Sequence, residues 1–224
     1  MKEPIAWNTY IASYLWGTIL ETTASKYNPT LEVWLINGKK ILNAARANYS
    51  YGSLHKVFQK TFRSIKLKNK KPQSILVLGF GAGSIASIVY DELKLNCKIT
   101  GVEIDATIIE LAKRHFDINR FENLNVHCAA AEEFVQHCTD KYDLICVDIF
   151  NDMTVPTSIE TASFLMNIKN CLNPKGTLVF NKIVDSKNKQ KTFLDLKEKI
   201  SKVFGNMDVI RLNGTNRVLL AINA

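Results

Sequence analysis

The stretch from Ser74 to Asp105, SILVLGFGAGSIASIVYDELKLNCKITGVEID, constrains the fold more than any other part of the chain. Ile75-Leu76-Val77-Leu78 is a short apolar run, the pattern of a parallel strand buried on both faces. Gly79, Gly81 and Gly83 follow at alternate positions, and Ile85, Ile88, Val89 and Leu93 then fall on one face of a helix. A second strand, Lys98 to Ile104, carries Glu103 about 20 residues beyond the glycine turn. Strand, glycine turn, helix, strand and a distal carboxylate together make a unit suited to a nucleoside. Glycine lets the main chain approach a ligand with no Cβ in the way. The helix start offers unpaired N–H groups and a partial positive charge, and Glu103 can accept from both hydroxyls of a ribose. A dinucleotide fingerprint would place its third glycine where Ser84 stands, so NAD ranks second as the ligand.

From Ser74 onward strand and helix alternate. Asp105 is placed as the N-cap of a helix through Phe116. Leu124–Cys128 is the third strand, Ala131–Cys138 a short helix, and Tyr142–Ile149 the fourth strand, containing Asp148. A helix over Thr157–Leu172, a turn at residues 173–176 and a fifth strand over Thr177–Ile183 follow. A charged helix spans Lys189–Phe204, and Met207–Leu212 and Arg217–Ile222 form a hairpin about Asn213-Gly214. The pattern predicts an α/β fold, a doubly wound sheet with an antiparallel C-terminal edge. The first 50 residues differ. Leu31–Ile36, Asn37-Gly38 and Lys39–Asn43 read as a hairpin within a small β-meander. Trp7, Tyr10, Tyr14 and Trp16 read as its own core or as a homodimer contact. The expected organisation is a meander over 1–50, a helix and basic linker over 51–72, and the nucleoside-binding domain over 73–224.

Composition excludes several classes. A chain of 224 residues, 46% hydrophobic and 22% charged, is that of an ordinary globular protein with one full core. No apolar run is long enough to span a bilayer, and Ile11–Leu20 lacks the features of a signal peptide. Cys97, Cys128, Cys138, Cys146 and Cys171 form no C-x-x-C pair, and Cys97, Cys128 and Cys146 read as buried thiols in a reducing cytoplasm. No His lies at zinc spacing to a cysteine, so no metal is expected. The net charge of +8 gathers in residues 60–71 and 187–191, a solvated surface in the first reading and a nucleic-acid or anionic-partner footprint in the second.

The chain resembles the spermidine-synthase-like branch of the class I S-adenosylmethionine-dependent methyltransferase fold. ILVLGFGAG is similar to the family's glycine motif, VEID to its ribose-binding acid motif, YDLICVD to the strand that ends in the catalytic acid, and LNPKGTLVF to the start of strand five. The resemblance implies a Rossmann-like sheet and a sulfonium donor, S-adenosylmethionine or its decarboxylated form. It implies donor contacts from Gly79, Gly81, Gly83, Glu103, Ile104, Ala131, Glu132 and Asp148. Asp148 and Asp152 are the candidate catalytic acids, while Tyr49, Tyr51, His55 and Phe150 are candidates for the wall of a small-molecule acceptor site.

The departures from the family pattern bear on the reaction. Aminopropyltransferases carry an Asp in the glycine motif that pairs with the amine of the decarboxylated donor; here it is Ala82. An Asp there would repel the α-carboxylate of ordinary S-adenosylmethionine, so its loss favours methyl over aminopropyl transfer. The family's Gln and His-Glu have no counterpart between Gly38 and Leu54, and the second acid, expected three residues after Asp148, is Asn151. A polyamine needs several carboxylates to replace its hydration, and fewer are present. Ala130 stands where the family places an Asp for adenine, with Glu132 or a backbone carbonyl as the substitute. Methyl transfer is therefore expected, with aminopropyl transfer and a non-catalytic nucleoside-binding scaffold as the alternatives.

Overall fold

A computed structural model describes residues 5–44, 47–150, 156–212 and 214–224, apart from the side chains of 47–49 and 53. Among these residues the strands form two sheets. The first is antiparallel in the order β1-β2-β3-β4, from β1 (Thr18–Thr23), β2 (Leu31–Ile36), β3 (Lys39–Ala44) and β4 (Ala47–Ser50). Asn37 and Gly38 turn the β2–β3 hairpin with φ of 50° and 70°, the two positive values a type I′ turn requires. Alternation buries Leu31, Val33 and Leu35 on one face of β2 and leaves Glu32, Trp34 and Ile36 half-buried on the other.

The aromatic lead does not form a core of its own. Helix α1 (Trp7–Ala12) buries none of its residues; Trp7 is 74% exposed, Leu15 72% and Trp16 65%, with Tyr14 also exposed. These side chains lie outward along a six-residue helix and its exit, while the inner face of the meander is filled by Leu31, Val33 and Leu42.

The second sheet has the order β10-β11-β9-β8-β5-β6-β7. Its strands are β5 (Ser74–Leu78), β6 (Lys98–Glu103), β7 (Leu124–Cys128), β8 (Tyr142–Val147), β9 (Leu172–Ile183), β10 (Met207–Arg211) and β11 (Asn216–Ile222). The five from β5 to β9 are parallel; β11 joins β9 antiparallel and β10 joins β11 antiparallel. This is the doubly wound sheet with an antiparallel C-terminal hairpin that the strand pattern predicts, as is the small antiparallel sheet before it.

Period-two alternation sends the sheet's side chains into two cores. Ile75, Val77, Ile99, Cys146, Val179 and Val218 pack under α2 (Ser53–Ser64), α4 (Ser84–Ser87), α5 (Ala106–Phe116) and the small sheet. Leu76, Leu78, Ile145, Val147, Leu178 and Phe180 pack under α6 (Ala131–His137), α7 (Ala162–Cys171) and α8 (Lys187–Phe204). The short α3 (Leu67–Lys70) lies between α2 and β5 and buries Leu67.

Local differences have local causes. The helix after the glycines continues from α4 as a π-helical turn over Ile88–Glu92. The expected helix at 157–172 is split: Thr157–Glu160 is a 3-10 turn, and Thr161 accepts from the Phe164 N–H to cap α7. β9 starts at Leu172, through a register shift opposite Tyr142 and Leu144 and a left-handed Lys175, where a turn was expected. Cys128 is exposed and not buried, because β7 is the outer strand of the sheet. No described helix is long and apolar enough to cross a membrane.

Candidate active site at the sheet switch point

The chain winds outward from β5 in both directions, through β6 and β7 on one side and β8 and β9 on the other. In such sheets the crevice lies at the carboxyl ends of the strands flanking the reversal. Gly79 follows β5, Glu103 ends β6 and Asp148 follows β8, so the topology alone brings these three together.

Backbone hydrogen bonds fix the arrangement. The N–H groups of Gly79 and Phe80 donate to the Val102 carbonyl at 2.9 and 3.0 Å, and the Asp148 N–H donates to the Leu78 carbonyl at 2.9 Å. Gly79 has φ of 81°, and a Cβ built there would stand 2.4 Å from the Asp148 carbonyl oxygen. The glycine is thus required by backbone conformation and by the close approach of β8. Gly81 and Gly83 also have positive φ, at 57° and 88°. Ala82, between them, is fully buried.

Glu103 is 3% exposed. Its Oε2 accepts from the Gly81 N–H at 2.9 Å and its Oε1 from the Asp105 N–H at 3.1 Å. Each carboxylate oxygen keeps further lone-pair capacity, so the same group can brace the glycine loop and accept from a ligand hydroxyl. Burial pushes its pKa up to about 7, with the Asp105 charge adding to the rise and the N–H donors working against it. Asp105 caps α5 by accepting from the Thr107 N–H at 3.0 Å, as the sequence predicts. Its second oxygen accepts from Asn28 Nδ2 at 3.0 Å and from the Ser25 hydroxyl, which ties the β1–β2 loop down beside the crevice.

Asp148 is partly buried, and burial together with the neighbouring Glu103 charge raises its pKa to about 7. One donor opposes the rise: Asn181 Nδ2, 2.9 Å from Asp148 Oδ1. Nothing in the sequence motifs singles out Asn181. The available signal is a lone amide directly after the apolar run Leu178-Val179-Phe180 of a central strand.

The other candidates divide by place. Ile104 is 40% exposed next to Glu103, and Ala131, buried, opens α6. Glu132 reaches the Ser158 hydroxyl, so its carboxylate joins α6 to the 157–160 turn. Phe150 is half-buried two residues beyond Asp148. Tyr51 stacks between His55 and Phe116, with ring centroids 5.4 and 4.9 Å away, and burial pushes its pKa up to about 12. His55 bridges α2 to the helix after the glycines, its Nδ1 2.8 Å from Ser84 Oγ and its Nε2 2.6 Å from Glu92 Oε1. Tyr51 and His55 are thereby drawn to the glycine loop's own helix. The side chain of Tyr49, and Asn151 and Asp152 entirely, lie outside the described residues. Among the described residues no cluster of three or more His, Cys, Asp or Glu could hold a metal ion.

The model of the spermine/spermidine synthase domain matches residues 58–212, which include every strand of the large sheet up to β10. A polyamine aminopropyltransferase of Vibrio vulnificus is 36% identical over 124 residues, 54% of this chain and 41% of that protein. The human eEF1A lysine and N-terminal methyltransferase is 29% identical over 131 residues, 53% of this chain and 19% of that protein. The chain thus spans less than half the length of these curated relatives. Among solved structures, human Methyltransferase-like protein 13 in complex with SAH aligns with a TM-score of 0.63 and 25% identity, over 76% of this chain and 82% of that one.

Proposed function

The chain belongs to the spermine/spermidine synthase domain family, and from that membership we propose that it transfers a carbon group from an S-adenosylmethionine-type sulfonium donor to a small acceptor. The observation that carries this reading is the meeting of Gly79, Glu103 and Asp148 at the switch point. Complexes of related proteins support the donor class, as in the SAH-bound structure of the human neighbour. When bound, the donor supplies an electrophilic carbon whose bond to sulfur breaks with both electrons leaving on sulfur.

The chain's own residues hold and orient. The Gly79–Gly83 main chain leaves room for an adenosine edge, and Glu103 accepts from the ribose hydroxyls. Asp148, with a pKa near neutrality, takes the proton released by the attacking N–H or O–H. Fixing the acceptor at near-attack distance supplies much of the remaining rate gain.

Methyl transfer is favoured because Ala82 puts no charge in the glycine loop. A carboxylate at that point would attract the amine of the decarboxylated donor and repel the carboxylate of the ordinary one. Aminopropyl transfer is the second reading, supported by the 36% identity to the Vibrio enzyme. Calorimetric titration with S-adenosylmethionine, its decarboxylated form and NAD tests all of this. Tight binding of the first, weak binding of the second and none of NAD is the expected result. Preference for the decarboxylated donor would move the assignment to aminopropyl transfer, and silence with all three would end the transferase reading. In the methyl-transfer assay, Asp148→Asn is expected to lower kcat by about 100-fold or more.

A further inference from the structure

We propose that Asn181 is the positioning residue of the transfer site: its side-chain amide holds the Asp148 carboxylate in place. The inference rests on the reading above that Asp148 receives the acceptor's proton. Asn181 sits in β9 after Leu178, Val179 and Phe180 and, like them, has no exposed surface. Cross-strand registry sets it opposite Val218 of β11 and on the face that carries Val179. A position with only packing to perform would carry a Val or Leu there.

The amide is also poorly served by its surroundings. Nδ2 donates to Asp148 Oδ1 at 2.9 Å, while the buried Oδ1 has no hydrogen-bond partner. An unpaired buried carbonyl costs stability. Turning the amide over would set its oxygen against the carboxylate, so the acid dictates the orientation and the orphaned oxygen is the consequence. A fold that tolerates this cost is keeping the amide for what it does to Asp148. Registry places a second orphaned oxygen, Asn216 Oδ1, diagonally across on β11 and on the same face.

The groups that act on Asp148 are few. Glu103 approaches from β6 with a like charge, Cys146 lies two residues earlier on β8, and Asn181 is the donor from β9. Among the described residues no cation pairs with Asp148. Removing the amide would therefore favour the neutral acid and free its rotation.

The test is a carboxyl-carbon NMR titration of Asp148 in the wild-type chain and in Asn181→Leu, Asn181→Ala and Asn181→Gln. In the Leu variant the Asp148 midpoint is expected to rise by about one unit, a tenfold change in proton affinity. The Gln variant, which keeps an amide, should bring the midpoint most of the way back to the wild-type value, and Ala serves as the second donor-free variant should Leu fail to fold. With turnover, the alkaline-rising limb of the kcat profile should move by the same amount while KM for the donor stays unchanged. An Asp148 midpoint that is unmoved in a folded Leu or Ala variant overturns the proposal. The titration needs no catalysis, so its failure is distinct from that of the transferase reading: Asp148→Asn with full transfer rates would remove the catalytic role and leave the positioning contact intact.

Discussion

Glu103 and Asp148 place two carboxyl groups at one crevice, each pushed by burial to about 7. Between the ordinary carboxylate range and that value the folded chain binds more protons than the unfolded one. Stability therefore falls as pH rises from about 4.5 to 7 and is level with respect to these groups above that. For Glu103 the effect has an upper bound of about 3 kcal/mol. Denaturant melts of the unliganded protein are expected to give a higher midpoint at pH 5.5 than at pH 8, and Glu103→Gln should reduce the difference to the share that Asp148 contributes. Equal midpoints at the two pH values would show that the acid is not held as its surroundings require. Donor affinity runs the other way, since ribose hydroxyls prefer an ionised acceptor. Calorimetry on Glu103→Ala at pH 8 is expected to show donor binding weakened about tenfold or more.

The loop from Gly79 to Gly83 is an element whose shape is set by what presses on it. At Gly79 the backbone is left-handed and β8 comes so close that a methyl group would overlap the Asp148 carbonyl. Gly79→Ala is expected to cost about 1–3 kcal/mol in a thermal or denaturant melt and to lower donor affinity, because relief requires the loop or Asp148 to shift. Gly214, also at positive φ but with open space around it, is the control: Gly214→Ala carries the backbone penalty without the contact. A Gly79 variant no less stable than the Gly214 variant would show that the close approach is not restrictive. The β1–β2 loop is a second such element. Ser25 and Asn28 fasten it to Asp105, which joins the small sheet to the strand end that carries Glu103.

At the scale of the molecule, the small sheet has one face in the main core and an outer helix that displays Trp7, Ile11, Tyr14, Leu15 and Trp16. An apolar area of that kind supports the proposal that two chains pair through the N-terminal part. Sedimentation velocity across a concentration series should show a dimer that Trp7→Ser with Trp16→Ser dissociates; a monomer at every concentration removes the proposal. The parallel sheet, the Asn37-Gly38 hairpin and the Asp105 cap were legible in the chain, because apolar period, turn chemistry and capping act over a few neighbouring residues. So were Gly79, Glu103 and Asp148, since the ends of parallel strands on either side of a reversal must meet. Asn181 at Asp148, Asn28 at Asp105 and His55 between Ser84 and Glu92 were not legible. Each joins residues tens of positions apart, where only the packed arrangement of strands and helices determines which polar groups share a buried space.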